Sequence, residues 1–148
     1  MEWIIFFVFS WVMFFMLIDF KKLKKNVWNG VLAILLQYAV DTQAVLHGFY
    51  KIENPIISIR GSSVFFVLGP VFVIGILMAQ YHPSKKIFIV ANVLVLAGLY
   101  TLAEVFLLKT GVLVYTNWHS TDSIVVNISA MIILSWFPIV VLGRKVKQ

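Results

Sequence analysis

Five apolar runs recur along the chain, each close to the length that crosses a bilayer as a helix, with short polar or basic clusters between them. A helix rising ~1.5 Å per residue needs about 20 apolar residues to cross ~30 Å of hydrocarbon. Five such runs use up most of a 148-residue chain. The pattern predicts helices over 3–18, 27–47, 62–80, 87–108 and 123–142, in one domain spanning 1–148. The expected class is all-α, an integral membrane bundle of five transmembrane helices. Composition agrees: 61% of residues are hydrophobic and 12% charged, against about 45–50% and about 25% in soluble domains. A β-barrel would show short alternating segments, and no segment here alternates for long.

The basic residues give a direction. Lys21, Lys22, Lys24, Lys25, Lys85, Lys86, Arg144, Lys145 and Lys147 fall on one side of a five-span arrangement, and only Lys51, Arg60 and Lys109 on the other. The positive-inside rule then puts the N-terminus outside and the C-terminus in the cytoplasm. Four or six spans would break this nine-to-three split; a re-entrant first or third segment is the alternative. The same clustering accounts for the net charge of +6, which is no nucleic-acid footprint. Met1-Glu2-Trp3 lacks a basic leader, and lysines rather than a small-residue cleavage site follow the first run. That run reads as a retained helix, not a signal peptide. There is no cysteine, which excludes disulfides, thiolate metal sites and cysteine nucleophiles.

Two acids interrupt the apolar runs. In the second, Gly30, Ala33, Gln37, Asp41, Ala44 and Gly48 follow steps of three and four, so they share one helix face. Small and polar residues on one face of a membrane helix mark a close helix contact. The fourth run has a matching face in Ala97, Tyr100, Thr101 and Glu104, and the fifth offers Ser123, Asn127 and Ala130. Counting from the helix starts, Asp41 lies about 21 Å and Glu104 about 25 Å from the cytoplasmic side, with Asn127 about 6 Å below the outer surface. His47, Tyr115, Trp118, His119 and Asp122 follow at the outer ends and loops. The polar groups therefore gather toward the outer face, and the inner half is expected to be dry apart from Asn92 and Gln37.

An ionisable group inside a membrane helix is by default a candidate site, and two neighbouring carboxyls would raise at least one pKa. Asp41 and Glu104 are thus candidate catalytic or ligand-binding residues. Gln37, His47, Tyr100, Tyr115, Trp118, His119 and Asn127 are further candidates for lining an outward-open pocket. The competing reading is structural: both acids are hydrogen-bonded and hold helices together. His47 and His119 beside Asp41, Glu104 or Asp122 would suit a zinc-like ion, yet no ligand-spaced motif supports a metal, and no cofactor is expected. His82, in Tyr81-His82-Pro83, reads as a turn residue. Trp3, Trp28, Tyr50 and Tyr81 read as an interfacial aromatic belt. Asn127-Ile128-Ser129 matches a glycosylation pattern inside an apolar run and is set aside. There is no phosphate-binding glycine loop and no GxSxG or GxGxxG.

Asp19 with the lysines after it, Asp41, Glu104, Gly111, Tyr115-Thr116-Asn117-Trp118, Ser123 and Asn127 together resemble a group of small uncharacterised multi-pass membrane proteins from spore-forming bacteria. That group usually has a glycine between the Asn and the Trp, which here are adjacent, and a longer basic and His-containing sequence after the last helix. The resemblance implies only a location and topology, those of a multi-pass protein of the bacterial plasma membrane, and points to no particular activity. A second likeness, over Glu104 to Tyr115 only, is to membrane-embedded carotenoid cyclases and hydratases; their paired-acid motif is missing and no catalytic role is carried across. Three expectations follow: an accessory or interaction protein with a structural polar core, a small transporter or ligand-binding protein using Asp41 and Glu104, or an intramembrane enzyme on a lipid or isoprenoid with Glu104 as general acid. Whether the chain is an enzyme stays open at this point. The expected partners are the lipid bilayer and a lipid or small-molecule ligand, with no nucleic acid.

Overall fold

A computed structural model describes residues 1–147. Among them are five helices: α1 (Glu2–Leu17), α2 (Phe20–Leu46), α3 (Val64–Gln80), α4 (Lys86–Lys109) and α5 (Ser120–Val140). Two short antiparallel ribbons join them at one end. Strand β1 (Tyr50–Ile52) pairs with β4 (Leu113–Tyr115), and β2 (Ser58–Ile59) pairs with β3 (Ser62–Ser63). The protein is mostly helical, and α4 and α5 are long and apolar enough to cross a membrane. Helices α1 and α3 are apolar but shorter.

Helix α2 starts seven residues before the expected 27. Only Ile18 and Asp19 separate it from α1, and the four lysines form its first turns rather than a loop. Lysine is a good helix former, and the Asp19 side chain caps the helix by accepting from the Lys21 amide at 3.1 Å. The start of α5 also moves forward, from 123 to Ser120. There His119 and Asp122 form a reciprocal capping box, in which Asp122 Oδ2 accepts from the His119 amide at 2.9 Å. Helix α3 opens into one wide turn at Val67–Val71, where Gly69 leaves helical geometry and Pro70 has no amide to donate.

Glycines set the helix crossings. A Cβ placed on Gly75 would stand 2.8 Å from the Gly30 Cα and from the Asn29 carbonyl oxygen. Helices α2 and α3 therefore touch backbone to backbone. At Gly69 the same construction meets the Phe7 Cα at 2.9 Å, where α1 crosses α3. The chain reverses at each connection. The Gln80 side chain ties the end of α3 to the end of α1, accepting from the Asp19 amide and donating to the Leu17 carbonyl, both at 2.8 Å. Arg144, after α5, donates to Asn26 near the start of α2, and the Lys147 amide donates to the Ser84 carbonyl. The nine cations thus collect at one end, the basic end, and the β1–β4 ribbon closes the other.

The expectation of a dry inner half fails. Asn26 and Asn29 are fully buried in α2, with Asn29 Nδ2 donating to the Gly75 carbonyl at 2.7 Å. Asn26 lies outside a helix begun at 27, and Asn29 lies inside it, four residues before Ala33 on the same face.

Candidate functional site

The inward face of α2 is the one its spacing predicts: Gly30, Ala33, Asp41 and Ala44 are all buried. Asp41 is 2% exposed and is held by three neutral donors. Gln37 Nε2, one turn earlier, donates to Oδ1 at 2.9 Å. The Tyr50 hydroxyl donates to the same oxygen at 2.5 Å, and the Ser62 hydroxyl donates to Oδ2. One helix turn, strand β1 and strand β3 thus converge on a single carboxyl.

Glu104, half-buried on α4, has a parallel arrangement. The Tyr115 and Ser123 hydroxyls both donate to Oε1 at 2.6 Å, and Asn127 Nδ2 donates to Oε2 at 3.0 Å. Asn127 Nδ2 also reaches the Thr101 hydroxyl at 3.1 Å. Trp118 Nε1 donates to the Ser123 hydroxyl at 2.6 Å, so Ser123 accepts from Trp118 while it donates to the acid. Tyr100, one turn before Glu104 on α4, reaches across to the Asp41 system, its hydroxyl donating to Gln37 Oε1 at 2.6 Å.

The ribbon gives the site its symmetry. Tyr50 and Tyr115 are direct partners in the β1–β4 register, with ring centroids 6.4 Å apart. One tyrosine goes to each acid. Burial first, then the Asp41 carboxyl, pushes the Tyr50 phenol well above its ordinary range. Burial and the hydrogen bond to Glu104 raise Tyr115 as well. Both hydroxyls therefore keep their protons and act as donors. The Thr116 and Asn117 amides both bond the Phe49 carbonyl, at 2.9 and 3.0 Å, and lay the Trp118 loop over the ribbon.

Between the acids lies a cavity of about 90 Å³. Its wall includes Gln37, Asp41, Tyr50, Tyr100, Glu104, Trp118 and Asn127, facing apolar side chains such as Phe66, Leu107 and Met131. Ser63 also lines it; this residue is 1% exposed and its hydroxyl has no partner among the described residues.

Seven of the nine residues expected from the sequence lie in this network: Gln37, Asp41, Tyr100, Glu104, Tyr115, Trp118 and Asn127. The two histidines do not. His47 is exposed, bonded to the Gln43 carbonyl of its own helix and stacked on Phe49. His119 is exposed and occupied in capping α5. Among the described residues, no three His, Asp or Glu side chains come together in a metal-holding group. Tyr50 is a correction: expected in an aromatic belt, it is 6% exposed and binds Asp41. Trp3 is another, buried with its Nε1 donating to the Glu53 carbonyl at 3.3 Å. Ser62 and Ser63, expected to open the third helix, instead form strand β3, where Ser62 bonds Asp41 and Ser63 lines the cavity.

Comparison with protein-family models, with curated proteins and with solved structures returns no match.

Proposed function

We propose that the chain is a five-span protein of the bacterial plasma membrane, with its N-terminus outside and its C-terminus in the cytoplasm. Its kinship is with the small multi-pass proteins of spore-forming bacteria, and it serves as an accessory or interaction protein rather than an enzyme. Several features support the membrane arrangement. Large apolar side chains cover the outer faces of α1 and α4, including Phe9, Phe15, Leu94, Leu99 and Leu102. Helices α1 and α3, with 16 and 17 residues, come close to the ~17-residue lower limit for a span. From Val27 to Leu46, α2 offers 20 residues beyond its lysines. The nine-to-three division of cations follows the two ends of the bundle.

The observation that carries the functional reading is the saturation of both acids. Asp41 and Glu104 each accept from three neutral donors, on α2, β1 and β3 for Asp41 and on β4 and α5 for Glu104. Acids held in this way fasten the ribbon cap to the helices. An enzyme acting on a lipid would need a carboxyl open to the side, whereas Asp41 is 2% exposed and Glu104 is already bonded.

The second reading, a ligand-binding pocket, rests on the cavity and on the unpartnered Ser63 hydroxyl in its wall. A ligand there would be a small molecule with one acceptor or hydroxyl and an apolar body. Native mass spectrometry of the gently purified protein separates the two. A bare mass in several detergents is expected from the structural core. A stoichiometric adduct lost in Asp41→Asn or Glu104→Gln would replace that reading with the ligand-binding one. The topology has its own test, made clean by the absence of native cysteine. In intact cells an impermeant thiol reagent should label Thr116→Cys and leave Ser84→Cys untouched; the reverse pattern would overturn the orientation.

A further inference from the structure

The basic end holds a second polar constellation, separate from the acids. Asn26 is 0% exposed, and its Oδ1 accepts from Arg144 Nη2 at 3.0 Å. Its Nδ2 is buried and has no partner among the described residues. Turning the amide over does not cure this, because a guanidinium only donates and would then face an NH₂ group. A buried donor left without an acceptor carries a full desolvation penalty, so this one points to a missing acceptor.

Arg144 is itself underused. Among the described residues it has no carboxylate partner; the one ion pair at this end joins Lys22 to Asp19. A guanidinium has five N–H donors in a flat fork, and one of them goes to Asn26. The segment carrying Arg144 is fixed by its own amide, bonded to the Pro138 carbonyl at 2.9 Å, and by the Lys147 amide on Ser84. His82 stands close by, with Nε2 on the Ser135 carbonyl at 3.1 Å and Nδ1 unpartnered. The constellation therefore offers fixed, unspent donors and a guanidinium that no acid among the described residues pairs with.

We propose that Arg144 and Asn26 form an anion site that takes phosphate oxygens, from either a phospholipid headgroup or free phosphate. The guanidinium fork matches two phosphate oxygens, and Asn26 Nδ2 supplies a donor that has no partner among the described residues. The site does not depend on the role assigned to the acids; only its headgroup form rests on the membrane reading.

The informative variant is Asn26→Asp. It is nearly the same shape, pairs with Arg144, and removes both the spare donor and the net positive charge. Arg144→Gln is the second variant, and Lys145→Gln is a charge control outside the site. The full chain would be studied by native mass spectrometry from nanodiscs of phosphatidylglycerol or phosphatidylcholine, and by thermal unfolding in neutral detergent with added inorganic phosphate. Retention of phosphatidylglycerol, weakened about ten-fold in both site variants and little changed in the control, identifies a headgroup site. Protection by inorganic phosphate with the same dependence identifies a free-phosphate site. Binding that survives both site variants, or falls equally in Lys145→Gln, or is absent for both probes, overturns the proposal. Should Asn26→Asp fail to fold, Arg144→Gln against Lys145→Gln still decides.

Discussion

Tyr50→Phe isolates one bond of the site with little other disturbance. The ring stays, along with its contacts to Tyr115 and Trp118 at centroid distances of 6.4 and 5.8 Å. What disappears is the hydroxyl that donates to Asp41 Oδ1. That oxygen keeps Gln37, and the other keeps Ser62, so the acid is weakened rather than orphaned. A hydrogen bond to an acid at a position 6% exposed places the loss at about 1.5 kcal/mol, roughly a twelve-fold change in the unfolding equilibrium. Tyr115→Phe removes the matching bond to Glu104, which is less buried and keeps two donors; about 1 kcal/mol is expected. The assay is reversible unfolding in mixed micelles, with Tyr38→Phe, on another face of α2, as the reference. If Tyr50→Phe costs no more than Tyr38→Phe, Asp41 does not fasten the ribbon and the structural reading of the acids fails.

Gly75→Ala should destabilise by about 1–3 kcal/mol, since its Cβ would meet the Gly30 backbone at 2.8 Å; wild-type stability in an unfolding titration would show that the α2–α3 crossing is not so close. Ala44→Leu, at a position 2% exposed, is expected to cost a similar amount, and an unchanged midpoint would mean that the inward face of α2 is misassigned. Burial holds His82 below its ordinary range, so the unfolded chain binds this proton first as pH falls. Stability from His82 is complete above the unfolded value of about 6.5 and declines as pH drops from there toward the lowered folded value. Midpoints measured across that window should fall with acid in the wild type and flatten in His82→Gln; parallel curves would rule out a buried neutral imidazole.

Periodicity exposed the face of α2 because a step of three or four is a property of the helix alone. It located Asp41, Gln37 and, on α4, Tyr100 and Glu104 for the same reason. It could not say which loop folds over them. Each strand of the β1–β4 ribbon is three residues long, too short for alternation to register, so Tyr50 looked like any aromatic at a helix end. The four lysines are exposed, as charge predicts, but exposure does not make a loop: with Asp19 as cap they form the opening turns of a helix. Asn26 and Asn29 were within reach, since the steps that run from Gly30 to Ala44 continue backward to them.

The separations along the chain carry a consequence for biogenesis. Asp41 takes its donors from residues 4, 9 and 21 positions away, and Glu104 from residues 11, 19 and 23 positions away. Each carboxyl can therefore be clothed by sequence close at hand, soon after it leaves the ribosome, without waiting for the other half of the protein. Links that bridge the halves, among them the tyrosine-paired ribbon, the contact of Tyr100 with Gln37 and that of Arg144 with Asn26, span more than 60 residues. The chain thus divides into two modules, each with its acid satisfied from nearby sequence, joined by the ribbon and by contacts of long sequence separation.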